Sequence, residues 1–174
     1  HPTLSIVIPH WNGIEILSEC IFSLKQSNYD SFEIIIVDNA SSDGSQEWIK
    51  ANHSDIILIE NDQNYGYAGG CNRGAEQANG KYILFLNNDT IQDPNWLRPL
   101  LNKLERNDSI VAIQPKILNY YQKNIFDYAG GAGGHMDVFC YPFARGRIFL
   151  EQEKDQGQYN EAESCFWTSG TAMM

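Results

Sequence analysis

Positive charge is scarce in this chain. Twelve Lys and Arg face 22 Asp and Glu, which gives a formal net charge of −10 at pH 7 and a pI near 4.7. Proteins that grip nucleic acid neutralise its phosphates with clustered Lys and Arg, so this balance argues against a nucleic-acid partner. Long hydrophobic runs are missing as well. No stretch approaches the roughly 20 apolar residues of a membrane-crossing helix, and no charged-then-apolar signal segment opens the chain. The expected location is cytoplasmic, with peripheral association at the inner face of a membrane left open. The four cysteines, Cys20, Cys71, Cys140 and Cys165, lack the paired spacing that closes a zinc site and read as reduced, mostly buried thiols.

Several catalytic signatures are absent too. Gly80-Lys81 has neither the preceding glycine nor the following Ser or Thr of a P-loop, and Gly66, Gly69, Gly70 and Gly74 do not space as a dinucleotide fingerprint. No Ser, His and Asp set with nucleophile-elbow glycines occurs. The four histidines are scattered, and only His10 falls in a loop where a strand ends.

What is present is enough for a core: 43% of the 174 residues are hydrophobic and 12% aromatic, so residues 1–174 read as one domain. The chain opens on His1-Pro2 and stops at Met173-Met174 after an apolar stretch, which reads as a truncated chain.

Periodicity gives an alternating order of elements. Leu4 to Pro9 is a β-branched strand, and Ile14, Leu17, Ile21 and Leu24 recur at helical spacing. Phe32 to Asp38 is a second strand. Asp43 followed by Gln46 predicts a capped helix start before Trp48 and Ile49. Ile56 to Ile59 is a third strand, a glycine-rich loop from Asn64 to Gly74 leads to a short helix near Ala75 to Ala78, and Tyr82 to Leu86 is a fourth strand. Asp93-Pro94 opens a helix with Leu97, Leu100, Leu101 and Leu104 as its buried stripe, and Ile110 to Ile113 is a fifth strand. Such alternation implies an α/β fold with a mostly parallel central sheet flanked by helices. After Pro115 the pattern dissolves into aromatics interleaved with Gly130-Gly131 and Gly133-Gly134, expected as loops or a hairpin. Glu151 to Glu163 reads as a solvated acidic loop.

Three strands end in polar clusters, at Pro9 to Gly13, Asp38 to Gly44 and Asn87 to Asp89. Ligands of open parallel sheets bind beyond the carboxyl ends of strands, so three such ends predict a shared site. Asp and Asn also cap helices, which is the plain alternative for any one cluster. Asp89 is the metal candidate, because Mg²⁺ or Mn²⁺ takes one or two carboxylates and completes its shell with phosphate oxygens. Asn87 and Asn88 would hydrogen-bond a ribose or orient Asp89.

Four segments together resemble glycosyltransferase family 2, with its GT-A fold, and in particular a rhamnosyltransferase-like branch. They are Ser5-Ile6-Val7-Ile8-Pro9-His10-Trp11-Asn12, Ile36 to Gly44, Asn64-Tyr65-Gly66-Tyr67-Ala68-Gly69-Gly70-Cys71-Asn72-Arg73-Gly74, and Leu86-Asn87-Asn88-Asp89. The resemblance implies an inverting glycosyltransferase that moves a sugar from a UDP- or dTDP-sugar donor to a glycan or lipid-linked saccharide acceptor in polysaccharide biosynthesis. It places Pro9 and Trp11 at the base and ribose, counts Asn12 among the nucleotide-binding residues, and makes Asp38 the carboxylate that accepts the pyrimidine N3 hydrogen. It also lines the nucleotide with Asn64, Gly66, Asn72 and Asn88, and makes Asp89 the catalytic ligand of Mn²⁺ or Mg²⁺. Asn87 stands where the family's metal motif has its first aspartate. Residues 1–115 would form the nucleotide-sugar-binding half. Residues 116–174 would form an incomplete acceptor-side half, with Trp167, Ser169 and Gly170 beside the sugar and Arg145 and Arg147 near phosphate or the acidic loop. The general base would lie outside the chain. A nucleotide-sugar-binding module without turnover and a sugar nucleotidyltransferase are the alternatives. The second lacks its expected basic loop, since Pro9 to Gly13 holds no Lys or Arg.

Overall fold

A computed structural model describes residues 1–128 and 131–174; Gly130 of the glycine-rich second half lies outside the described residues. The chain divides into two compact units, His1–Leu101 with Met174, and Asn102–Met173, and the division falls inside a helix.

The first unit alternates strands and helices: β1 (Leu4–His10), α1 (Ile14–Lys25), β2 (Phe32–Asp38), α2 (Ser45–Asn52), β3 (Ile57–Glu60), α3 (Gly66–Glu76) and β4 (Tyr82–Leu86). Helix α4 (Leu97–Arg106) then crosses the division. The four strands lie in the order β3-β2-β1-β4, and every pair is parallel. Every residue of β1 is buried, as a central strand covered on both faces requires. Its Leu4, Ile6, Val7 and Ile8 pack with Ile34 to Val37 of β2 and with Leu84 and Leu86 of β4 to make the core.

Strand order reverses direction at β1. The chain steps outward from β1 to β2 to β3, then returns to place β4 on the other side of β1. The β1–β2 ladder runs to His10 opposite Asp38, whereas the β1–β4 ladder stops at Val7 opposite Phe85. A crevice therefore opens at the carboxyl ends of β1 and β4, the point where open α/β sheets hold ligands.

Helix α3 begins much earlier than its glycines suggest. Glycine is a poor helix former, so periodicity alone assigns only Ala75 to Ala78. Yet Gly70 and Gly74 recur one turn apart on the face toward β1 and β2. A methyl group on Gly74 would collide with Val7 and Val37, and one on Gly70 would sit 3.0 Å from the Pro9 Cβ. The glycines let the helix approach the sheet closely, and that packing outweighs propensity.

Three further expectations fail locally. The Asp43 and Gln46 capping box does not form: α2 starts after Gly44, a left-handed residue at φ 86°, and Asp43 accepts the Ser45 N–H at 3.1 Å while the Gln46 side chain turns to Asp38. Asp93 folds an Asx turn, accepting from the Asn95 N–H at 2.8 Å, and delays α4 until Leu97. Ile110 to Ile113 is irregular backbone with Val111 98% exposed, because a β-branched run without a ladder partner gains nothing from extension.

The second unit is built from short hairpins. Strand β5 (Gly134–Met136) pairs antiparallel with β6 (Pro142–Ala144), and β7 (Arg147–Ile148) with β8 (Glu151–Gln152); β9 (Ala172–Met173) closes the element order. Phe126 is its fully buried centre. The acidic stretch is not simply solvated. Lys116 bridges Asp155 at 2.5 Å and also donates to the Asn160 side chain, and Arg145 bridges Glu163 at 2.6 Å.

Candidate active site at the strand switch point

A cavity of about 250 Å³ opens at the crevice, lined by Pro9, His10, Trp11, Asn39, Asn64, Gly66, Tyr67 and Asn88. Five of the residues singled out from sequence meet there: Pro9, Trp11, Asn64, Gly66 and Asn88. Pro9 arrives as the buried penultimate residue of β1, while Trp11 stands 58% exposed just past the strand end. Asn64 folds back so that its side-chain oxygen accepts the Gly66 N–H at 2.8 Å, and Gly66 takes φ 71°, which suits glycine. Helix α3 thus points its amino end at the cavity, with no acidic residue in its first turn, and such an end favours an anion.

Asp38, the last residue of β2, does not line the cavity itself: it pairs with the lining residue His10 and has no solvent exposure. Its Oδ1 accepts the Ser41 N–H at 2.9 Å and the Gln46 side-chain amide at 2.6 Å. Its Oδ2 is buried and has no hydrogen-bond partner. A buried carboxylate oxygen without a donor is costly, so its survival asks for an explanation.

Asn12 has a backbone task. In the left-handed region at φ 57°, it donates its N–H to Ser41 Oγ at 2.8 Å and accepts the Ser42 N–H at 2.9 Å, latching the β1–α1 turn to the β2–α2 loop. Asn72 is exposed on α3 and does not line the cavity. Its neighbour Arg73 stacks its guanidinium 4.0 Å from the Tyr65 ring centre.

Asp89 follows β4 and is exposed. Among the described residues no three of His, Cys, Asp and Glu gather around a point that a metal would occupy. A single exposed carboxylate next in sequence to the cavity-lining Asn88 nonetheless fits a hard cation whose other ligands come from its substrate. Asn87 turns its carbonyl inward, to the Thr90 hydroxyl at 2.8 Å and the Cys20 thiol at 3.7 Å. Burial pushes that thiol up to about 11, so it stays protonated. Cys71 is buried as expected, but Cys140 is exposed and Cys165 only half-buried.

The sequence puts His10 in the loop after the first strand and gives it no role, whereas it is the buried last residue of β1. The ring is 1% exposed and hydrogen-bonded on both nitrogens, to Ser45 Oγ and to the Asn88 amide, each at 2.9 Å. Burial lowers its pKa below the ordinary 6.5, outweighing the raising effect of Asp38 and Asp43. Asn39, also missed, links Asn61 to the Gly66 carbonyl and so ties β2 to the start of α3.

In the second unit, Trp167 lays its ring against Gly134, where any side chain would collide, and donates Nε1–H to the His135 carbonyl at 3.3 Å. Ser169 is buried, with its N–H on the Gln114 side chain at 2.6 Å; Gly170 follows it, half-buried. Arg147 lies 3.3 Å from the centre of the Tyr128 ring, and Arg145 is held by Glu163.

The sequence profile of Glycosyl transferase family 2 matches residues 5–165. This chain belongs to that family. The O-antigen biosynthesis protein RfbC of Myxococcus xanthus is 28% identical over 151 residues, which is 83% of this chain and 11% of that protein. Glycosyltransferase GlyG of Streptococcus pneumoniae is 30% identical over 121 residues, 68% of this chain and 39% of that protein. The chain thus spans between 11% and 39% of the length of these relatives. Among solved structures, the mannosyltransferase PcManGT of Pyrobaculum calidifontis, in complex with GDP-Man and Mn²⁺, superposes with a TM-score of 0.61 at 20% identity over 68% of this chain and 36% of that one. TarS 1-349 of S. aureus, in complex with UDP, gives 0.61 at 20% identity over 66% and 35%. The family member has the GT-A-like fold of these neighbours. No helix among its described residues is long and apolar enough to cross a membrane.

Proposed function

We propose that this family 2 domain binds a UDP- or dTDP-sugar at the switch-point cavity and serves an inverting transfer of the sugar to a saccharide or lipid-linked acceptor in polysaccharide assembly. The observation that carries the reading is the buried, unpartnered Oδ2 of Asp38, a residue paired with the cavity-lining His10 and followed by the cavity-lining Asn39. A pyrimidine with an N3–H supplies the donor that oxygen lacks. Because Asp38 is sealed from solvent, the base reaches it only as the surrounding side chains part.

On this reading Pro9 and Trp11 flank the base, Asn12 holds the loops that frame it, and Asn64 and Gly66 cover the nucleotide. The amino end of α3 faces the diphosphate. Asp89 holds Mn²⁺ or Mg²⁺, which when bound supplies positive charge to the departing diphosphate. That a structural neighbour is in complex with GDP-Man and Mn²⁺ is in keeping with a divalent ion. The acceptor hydroxyl gives its proton to a general base, its oxygen forms a bond to the anomeric carbon, and the bond from that carbon to the diphosphate breaks with inversion. The second unit, with Trp167, Ser169 and Gly170, serves the sugar and acceptor, with the half-buried Trp167 ring as the stacking surface. Similarity to an O-antigen biosynthesis protein supports a cell-surface glycan and keeps a rhamnosyl donor among the candidates. The work is done in the cytoplasm, at the inner face of a membrane.

Calorimetric titration with UDP, dTDP and GDP, with and without Mn²⁺, tests the reading. Binding of a pyrimidine diphosphate that Mn²⁺ strengthens supports it; tighter binding of GDP than of both pyrimidines contradicts it.

A further inference from the structure

We propose that His10 is a positioning residue: its Nδ1 accepts the Asn88 side-chain amide across the β1–β4 switch point and thereby turns the Asn88 oxygen toward the cavity as an acceptor for a ligand hydroxyl. The inference rests on the nucleotide-sugar reading for the identity of that ligand, and on this chain's geometry for everything else.

The direction of each hydrogen bond follows from one end of the chain of contacts. Asp43 is an exposed carboxylate. Partial burial raises its pKa, but hydrogen bonds from the Ser45 hydroxyl and from the Gly13 and Ser45 N–H groups outweigh that and hold it low, so at neutral pH it only accepts. The Ser45 hydroxyl donates to Asp43 Oδ1 at 2.5 Å and has no second proton to give. Its oxygen, 2.9 Å from His10 Nε2, must therefore accept the ring proton. A neutral imidazole carries one proton, so Nδ1 is bare and accepts. The group 2.9 Å from Nδ1 is the Asn88 amide, which meets a bare nitrogen only through its NH₂. The Asn88 oxygen has no donor among the described residues, and the side chain lines the cavity.

Placement explains why such a device sits here. The β1–β4 ladder ends at Val7 opposite Phe85, three residues short of His10, so this ladder does not tie the end of β4, where Asn88 leaves the sheet, to the end of β1. The His10 side chain replaces the missing rung. It also connects the β2–α2 loop to the β4 end, so three strand ends present one fixed polarity to a ligand. Were Nδ1 protonated instead, the amide would reverse and offer a donor to the same hydroxyl.

Two measurements on the 174-residue chain test this. Nitrogen NMR of the wild-type imidazole should show a neutral His10 with the proton on Nε2 at neutral pH; a proton on Nδ1 overturns the proposal. Asn places its oxygen where Nδ1 stands, while Gln reaches only the Nε2 position. His10→Asn should therefore hold UDP affinity within about threefold of wild type, and His10→Gln should lose about tenfold. Equal affinities for the two variants overturn the positioning role, since loss of a merely structural histidine would not distinguish them. Failure of the wild-type chain to bind any nucleotide sinks the nucleotide reading instead. The tautomer, and an Asn88 amide signal shifted by His10→Gln but not by His10→Asn, then decide the positioning claim; an Asn88 signal that responds alike to both variants refutes it.

Discussion

Gln46 donates its side-chain amide to Asp38 Oδ1 at 2.6 Å, reaching from the first turn of α2 to the last residue of β2. That contact fixes the Asp38 carboxylate with one oxygen satisfied and the other, Oδ2, left buried without a donor. Gln46→Ala should destabilise the first unit by about 1–3 kcal/mol, the usual cost of stripping a donor from a buried charged acceptor. Urea unfolding checks this, and no change in midpoint would mean that the contact is slack.

Gly74→Ala should also destabilise, although alanine is the better helix former by about 1 kcal/mol. The added methyl meets Val7 and Val37, and overpacking a tight interface costs about 1–3 kcal/mol. Thermal unfolding at a midpoint above wild type would show that α3 can lift from the sheet at little cost.

Stability should depend on pH through His10. Its folded pKa is depressed by burial below the 6.5 of a free imidazole, so the unfolded chain binds more protons once the pH falls below that value. The contribution of neutral His10 is whole above about pH 6.5 and is lost as the pH falls toward the folded pKa. The low pKa values of Asp55 and Asp155, each lowered chiefly by a hydrogen bond from lysine, add stability that is lost only below the ordinary carboxylate value of 3.8. Unfolding free energies measured between about pH 7.5 and pH 5 should decline in wild type and decline less in His10→Asn. Identical slopes would show that His10 titrates normally.

Asp89→Ala should leave the fold and metal-free UDP binding intact while removing the strengthening by Mn²⁺. The side chain is exposed, so its loss opens no cavity. Undiminished enhancement by Mn²⁺ would remove Asp89 from the metal site.

Much of this architecture is legible in the sequence because local and global signals agree. Strands Phe32–Asp38 and Tyr82–Leu86 end where their apolar runs meet Asp or Asn, and the same polar residues mark the crevice. Where the fold departs from the reading, a distant partner decides. Gly70 and Gly74 look like loop formers until Pro9, Val7 and Val37 are seen pressed against them. Gln46 reads as a capping residue, but its amide finds Asp38 eight positions back. Ile110 to Ile113 has strand composition but no ladder partner among the described residues. His10 carries no local signal at all, since its partners Ser45 and Asn88 lie 35 and 78 residues away.

The most direct test of the donor-site claim compares UDP with CDP on the unmodified chain and on Asp38→Asn. Uracil offers an N3–H to Asp38 Oδ2, whereas the cytosine N3 is itself an acceptor and would face the carboxylate unpaired. Wild type should prefer UDP by about tenfold or more, and the preference should shrink to within about threefold in Asp38→Asn. Equal affinities in wild type, or a preference untouched by the substitution, would contradict the assignment of Asp38 to the pyrimidine.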